Sequence, residues 1–221
     1  GVFPLKGKVL NVRDVTEDRA ASNEEISNLK KIIGLETGKE YQDVKSLRYG
    51  SVMFLTDQDT DGYHIKGLLM NLFHCKWKTL FSNPDFIKSM ATPIVKVTKG
   101  SNTIEFCNLS DYENWKNEND TKGWNIKYYK GLGTSNREEA KEYFKNMKQI
   151  SYVLDENSDK SMIKAFDKKF ADARKDWLKP YDPTNVLNIK SGNNQISHTE
   201  FVDKELIHFS NYDNIRSIPH L

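Results

Sequence analysis

Cysteine is nearly absent from this chain. The 221 residues hold only Cys75 and Cys107, which show no C-x-x-C spacing and no partners for a zinc site. They read as free thiols of a reducing compartment. No apolar run approaches the roughly 18 residues that span a bilayer, and no signal-peptide pattern opens the chain. An excess of one charge is lacking too: 33 Lys and Arg face 31 Asp and Glu, a formal net charge of +2. Any nucleic-acid binding must therefore come from a local patch rather than a global field. No internal repeat is found. The length allows one large or two small domains, and 29% charged with 37% hydrophobic residues fits a soluble globular protein. The chain begins in mid-pattern at Gly1-Val2-Phe3-Pro4-Leu5, the expectation being a fragment of something longer. The run Gly192-Asn193-Asn194-Gln195 reads as loop chemistry or genome bias.

The most informative stretch present is Asp57-Gln58-Asp59-Thr60-Asp61-Gly62, directly after the apolar run Val52-Met53-Phe54-Leu55-Thr56. Side chains at alternate positions of extended backbone point the same way. Asp57 and Asp59 can thus share one Mg²⁺, whose oxygen coordination suits one or two carboxylates plus a phosphate. Ligands of open α/β sheets also gather beyond the carboxyl ends of strands, where this motif falls. A calcium loop is the rival, but its twelfth position needs Glu, and here it is Leu68. The structural alternative has Asp61 merely capping the next helix and the other two carboxylates solvated.

Periodicity places a helix over 23–34, with Asn23 as cap, a stripe of Ile26, Leu29, Ile32 and Ile33, and Gly34 as stop. A strand is expected over 51–56 and an amphipathic helix over 62–81 through Ile65, Leu68, Leu69, Leu72, Phe73 and Leu80. Strands follow at 93–97, 103–106 and 126–129, with a short helix at 109–118 between them. Lys130-Gly131-Leu132-Gly133-Thr134-Ser135 then opens a helix, Ser135 and Glu138 having the spacing of a capping box. The alternation of strands and helices argues for an α/β fold with a mostly parallel sheet. Beyond 149 the reading is helical: a charged helix over 159–178 with Met162, Ile163, Phe166, Phe170 and Trp177 as its stripe, a linker from Pro180 to Gln195, a last helix over 201–209, and the tail Arg216-Ser217-Ile218-Pro219.

The segments Pro4-Leu5-Lys6-Gly7-Lys8-Val9-Leu10-Asn11-Val12-Arg13, Leu47-Arg48-Tyr49-Gly50, Thr56 through Leu68, Lys127 through Ser135, and Lys204-Glu205-Leu206-Ile207 together resemble eukaryotic-type (type IIA) DNA topoisomerase II. The resemblance runs over nearly the whole chain, in the family's order. It implies a Rossmann-like toprim metal-binding domain over 1–148, including a β-rich extension. A helical connector toward a winged-helix domain is implied over 149–221. Mg²⁺, two ions, is implied at Asp57 and Asp59, with Asp61 supporting through charge and water. Lys8, Asn11, Arg174 and Lys175 match positions that touch DNA. The implied activity is ATP-dependent passage of one duplex through a transient double-strand break, by a nuclear homodimer, with double-stranded DNA as partner and no membrane. A Tyr beyond Leu221, from the partner subunit, would form the 5′-phosphotyrosyl link, so no catalytic nucleophile is expected here and the fragment alone should not cleave. ATP binds elsewhere in the full-length enzyme.

Departures accompany the match. The family's E-G-D segment with its metal-binding Glu is expected upstream of Gly1. Lys6 stands where many members carry Arg, and the linker at 180–199 is shorter than expected. A stand-alone toprim nuclease or phosphotransferase and a non-catalytic DNA-binding module remain as other classes. His64 reads as a ligand, a phosphate contact or a helix-surface residue. The Lys130–Gly133 turn reads as a phosphate cradle or a tight strand-to-helix connection. Trp77, Trp115, Trp124 and Trp177 read as packing.

Overall fold

Residues 1–129, 135–189 and 193–217 are described by the structure, a computed structural model. After two short helices, α1 (Glu17–Ser22) and α2 (Glu24–Ile33), the first strand is β1 (Val52–Phe54). α2 starts and ends where the sequence says: the Asn23 side chain accepts from Ile26 N–H, and Gly34 closes the helix in the left-handed region.

Next come α3 (Thr60–Lys76), α4 (Lys78–Phe81) and β2 (Ile87–Ala91). β3 (Val95–Lys99), β4 (Asn102–Phe106), α5 (Leu109–Glu118) and β5 (Asn125–Tyr128) follow. α6 (Arg137–Lys145), β6 (Lys148–Val153) and α7 (Ser158–Phe166) lead to a 3₁₀ turn, Lys168–Phe170, and α8 (Ala171–Leu178). The described chain ends in β7 (Asn193–Ser197), α9 (His198–Phe201), a π turn over Val202–Leu206, and α10 (Ile207–Ser217).

The main sheet has the order β1-β2-β6-β7 and is flanked by helices. Its outer ladders, β1·β2 and β6·β7, are parallel, and β2·β6 between them is antiparallel. A second sheet, β4-β3-β5, is antiparallel throughout. β3 and β4 form a hairpin closed at Gly100-Ser101, with Gly100 at φ +59° supplying the positive φ that such turns favour. This sheet has its own small core of Val95, Val97, Phe106 and Tyr112. Lys148 of β6 bonds to Glu105 of β4, which also pairs with Lys96 of β3, tying the two sheets together.

Several expectations need correction. The segment expected to be a helical connector supplies β6 and β7 to the main sheet, so residues before and after 148 share one sheet and one core, with Phe54, Ile87, Ile150 and Ile196 in it. β7 begins inside the expected linker. The helix expected over 62–81 breaks at Trp77, whose buried indole donates to Glu36 O. The helix expected over 159–178 breaks at Asp167, which caps the 3₁₀ turn through Lys169 N–H. Phe170, expected in its apolar stripe, is exposed. The last helix is longer than expected and carries the π turn. The capping box forms one residue later than Ser135/Glu138. Asn136 Oδ1 accepts from Glu139 N–H at 2.8 Å, and the Glu139 carboxylate accepts from Asn136 N–H at 2.9 Å.

The largest correction concerns α3. Every residue from Lys66 to His74 is buried, so α3 is a central helix and not an amphipathic one. Its polar side chains are answered from far along the chain. Lys66 forms an ion pair with Glu205 in the π turn at 2.5 Å, both side chains under 5% exposed. Asn71 Oδ1 accepts from Arg13 Nη2 at 2.9 Å, while Asn71 Nδ2 donates to Asn11 Oδ1. Arg13 Nη2 also lies 2.7 Å from His74 Nδ1. A guanidinium only donates, so Nδ1 is the acceptor and the proton of the neutral ring sits on Nε2, donating to Asp159 Oδ1 at 2.9 Å. Burial, assisted by Arg13, holds His74 below the usual imidazole range against the pull of Asp159. Gly67 is where α3 meets its neighbours most closely: a Cβ there would lie 2.8 Å from the Phe166 ring.

Two predictions follow from this packing. Removing one partner of a buried ion pair strands the other, at about 3–5 kcal/mol. Lys66→Met should lower the unfolding free energy measured in urea by that order, and Lys66→Met/Glu205→Leu should recover most of the loss; equal loss in both would mean the charges are not coupled. The second concerns His198, stacked on Phe81 at 3.8 Å with Nε2 facing Phe81 O at 3.3 Å and a buried, unpartnered Nδ1. Burial lowers its pKa from 6.5 to about 4. The unfolded chain then takes up this proton first, so stability is full above about pH 6.5 and falls as pH drops toward 4. Urea midpoints measured between pH 7 and pH 4.5 should fall, and His198→Phe should flatten that dependence.

Candidate functional site

The acidic motif leaves the sheet at the carboxyl end of β1 and turns directly into α3. Gln58 Nε2 donates to Met90 O at 3.2 Å, fastening the turn to the end of β2. Asp59 is the N-cap of α3 in extended backbone, its Oδ1 accepting from Gly62 N–H at 2.7 Å. The capping role considered for Asp61 thus belongs to Asp59, and Asp61 sits in the first turn. Gly62 is required by a close approach: a Cβ on it would lie 2.0 Å from the Asp57 carbonyl oxygen. That contact seats the backbone of Asp57 on the first turn of α3, while Asp59, as its N-cap, stands at the positive end of the helix dipole. Asp57 is half-buried and Asp59 exposed.

Oxygen donors alone at a strand end suit Mg²⁺ better than a softer metal. Two carboxylates do not complete a cage, and among the described residues no group of three His, Cys, Asp or Glu is placed to hold a metal ion. The donor set fits a hard cation that takes its remaining ligands from water, phosphate or another segment.

Asp61 is engaged by the N-terminal strap. Its Oδ1 accepts from Lys8 Nζ at 2.7 Å, and the Lys8 ammonium holds the Asp61 carboxyl below the usual carboxylate range. Lys8 Nζ also lies 4.7 Å over the Phe209 ring. This lysine stands on a strap without regular structure, pinned by buried Val9 and Val12.

Beside the strap runs an open groove of about 450 Å³, lined among others by Lys8, Asn11, Asp14, His64, Lys168 and Arg174. Three of the four residues matched to DNA contacts therefore meet in one groove, although more than 160 positions separate Lys8 from Arg174. Lys175 does not line it; exposed on α8, it pairs with Asp172 at 2.8 Å.

Inside the groove most polar groups have internal duties. Asn11 Oδ1 accepts from Arg13 N–H and Asn71 Nδ2, and Asn11 Nδ2 donates to Phe166 O at 2.9 Å. Arg174 Nη1 donates to Lys164 O and Asp167 O, satisfying carbonyls left open where α7 ends. His64 stacks on Phe209 at 3.8 Å with its Nδ1 buried and unpartnered, so it belongs to the half-buried wall and not to an open helix surface. Burial, with Lys8 nearby, lowers its pKa to about 4 and keeps it neutral at pH 7.

Sequence reasoning overlooked Arg13, Lys168 and Phe209. Arg13 carried a signal, standing at the end of the quoted strap segment. For Lys168 and Phe209 no spacing or motif set them apart. Lys130 through Thr134 lie outside the described residues. Trp115 and Trp124 pack edge to face at 5.2 Å, Trp77 is buried, and Trp177 Nε1 donates to Asp203 Oδ1. Both cysteines are free.

Comparison with known proteins gives consistent results. The chain is 48% identical over 226 residues to DNA topoisomerase 2 of Arabidopsis thaliana, which covers 99% of it and 15% of that protein. It is 43% identical over 277 residues to DNA topoisomerase 2 of Acanthamoeba polyphaga mimivirus, covering 100% of the chain and 22% of the relative. The Saccharomyces cerevisiae relative is 47% identical over 228 residues, covering 100% and 16%. The chain thus spans less than a quarter of the length of these relatives. Among solved structures, the topoisomerase II DNA-binding, cleavage and re-ligation domain of Plasmodium falciparum superposes with a TM-score of 0.91 at 45% identity, over 99% of this chain and 30% of that one. A family model for the C-terminal associated domain of TOPRIM matches residues 90–214, and the chain belongs to that family, in the form found in the DNA topoisomerase 2 proteins.

Proposed function

We propose that this chain is the metal-binding part of the DNA cleavage and religation core of an ATP-dependent type II topoisomerase, a nuclear homodimer acting on double-stranded DNA. The observation that supports this best is the placement of two unlike surfaces side by side. Asp57 and Asp59 follow the end of β1, Asp59 at the N-terminus of α3, while Lys8, Asn11 and Arg174 line the adjoining groove, and the Lys8–Asp61 ion pair joins the two.

Asp57 and Asp59 would hold Mg²⁺. Bound there, it supplies charge stabilisation at a phosphodiester undergoing transesterification. β1 is an edge strand of the main sheet among the described residues, which leaves room for a third carboxylate on a strand added outside it. The remaining work of this chain is binding and positioning. Lys8 and Arg174 neutralise phosphates, Asn11 gives the strap a fixed place against α3 and α7, and the neutral His64–Phe209 stack walls the groove. The nucleophile and ATP hydrolysis are assigned to the rest of the full-length protein, and Lys175 to a second phosphate contact outside the groove.

Covalent DNA cleavage by the full-length protein in Mg²⁺ tests this. Asp57→Asn and Asp59→Asn should each cut cleavage by about 10²-fold or more, the scale of losing a positioned electrostatic group, while metal-free DNA binding persists. Asn caps helices as well as Asp, so Asp59→Asn should leave the melting temperature nearly unchanged, which separates metal chemistry from folding. Undiminished cleavage would make the cluster structural. Gly62→Ala is the complementary variant. The Asp57 carbonyl is backbone and cannot swing away, so this change should cost about 1–3 kcal/mol of stability and lower cleavage with both aspartates intact.

A further inference from the structure

Among the described residues, the groove contains one cation whose side chain no internal group claims. Lys8 is held by Asp61, and Arg174 has its Nη1 committed to two carbonyl oxygens. Lys168, exposed on the 3₁₀ turn, has neither a hydrogen bond nor an ion pair at Nζ among the described residues, and it lines the same groove. Its backbone is nonetheless fixed: Lys168 N–H donates to Asp14 Oδ2 at 3.0 Å, joining the turn to the N-terminal strap. The break at Asp167 is what places it there, because a helix continuing from α7 would carry residue 168 along a different path. Asp14 also lines the groove, but one of its oxygens is occupied by that N–H, and three cations remain against one carboxylate.

We propose that Lys168 is a phosphate-binding residue of this groove and the first of its cations to engage nucleic-acid backbone. The proposal rests on the reading of the groove as a duplex-DNA surface. Lys8 must exchange Asp61 for a phosphate before it contributes, and Arg174 reaches a phosphate only through nitrogens other than Nη1. Lys168 binds without breaking any contact. A lysine makes a point-charge contact and reads no sequence, so Lys168 contributes affinity and salt dependence rather than site preference.

Lysine acetylation of the full-length protein with and without a short duplex, in metal-free buffer and localised by mass spectrometry, provides the test. Modification of Lys168 should fall several-fold in the DNA complex, while that of Lys169, exposed next to it but outside the groove lining, should not change. Protection of Lys8 without protection of Lys168 would overturn the proposal and leave the groove reading standing. Protection of neither would overturn both. As an independent measure, Lys168→Ala should reduce the slope of log K against log salt by about 0.9, the value for one phosphate contact, and Lys168→Arg should restore it. An unchanged slope in Lys168→Ala would refute the assignment.

Discussion

The burial of α3 is the constraint on which the rest of the molecule depends. A helix buried on all sides cannot keep Lys66, Asn71 and His74 unless each finds a partner, because an unanswered buried charge or amide costs more than a surface contact returns. The partners come from three remote places: Glu205 in the π turn, Asn11 and Arg13 on the strap, and Asp159 on α7. These contacts fix the N-terminal strap and the C-terminal helices against one element. The acidic motif sits at the start of that same element, so the geometry of the candidate metal site is inherited from the packing of its helix.

The groove is a by-product of the same arrangement. Asn11 reaches across to Phe166 O, the last residue of α7, and Arg174 folds back onto Lys164 O and Asp167 O where that helix stops. Asn11 thus ties the strap, and Arg174 ties α8, to the end of α7, with Leu206 and Phe209 contributing apolar wall. Two side chains matched to DNA contacts therefore also hold the groove in shape. Their substitution would disturb both its form and its charge, whereas Lys168 adds charge without holding anything through its side chain. The acidic motif and the groove are joined by Lys8 and Asp61, an exposed pair that solvent and salt weaken, so this contact opens at little cost.

Much of this was legible in the residues. The D-x-D spacing after an apolar run placed two carboxylates at a strand end, Asn23 and Gly34 bounded α2 correctly, and the strap, motif and K-E-L-I segments carried the family resemblance. At three of the places where local rules failed, a contact from outside the element had overridden them. The Trp77 break is held by Glu36 O, the Asp167 break by Asn11 and Arg174, and the expected linker is drawn into the sheet by pairing of β7 with β6. The expected capping box slipped by one residue because Asn136 competes with Ser135 for the same role, and spacing alone does not choose between them.

By itself the sequence determined which groups the site has to offer: paired carboxylates two residues apart after an apolar run, a glycine after them, and basic residues at both ends of a chain with almost no net charge. Those are local properties, written in side-chain type and spacing. Only the tertiary structure decided that Lys8, Asn11, Lys168 and Arg174 share one groove, that Lys175 stands outside it, and that Asp59 rather than Asp61 caps α3. The physical reason is that convergence depends on how far-apart segments satisfy the buried polar groups of α3. That satisfaction is a property of three-dimensional packing, which no spacing along the chain encodes.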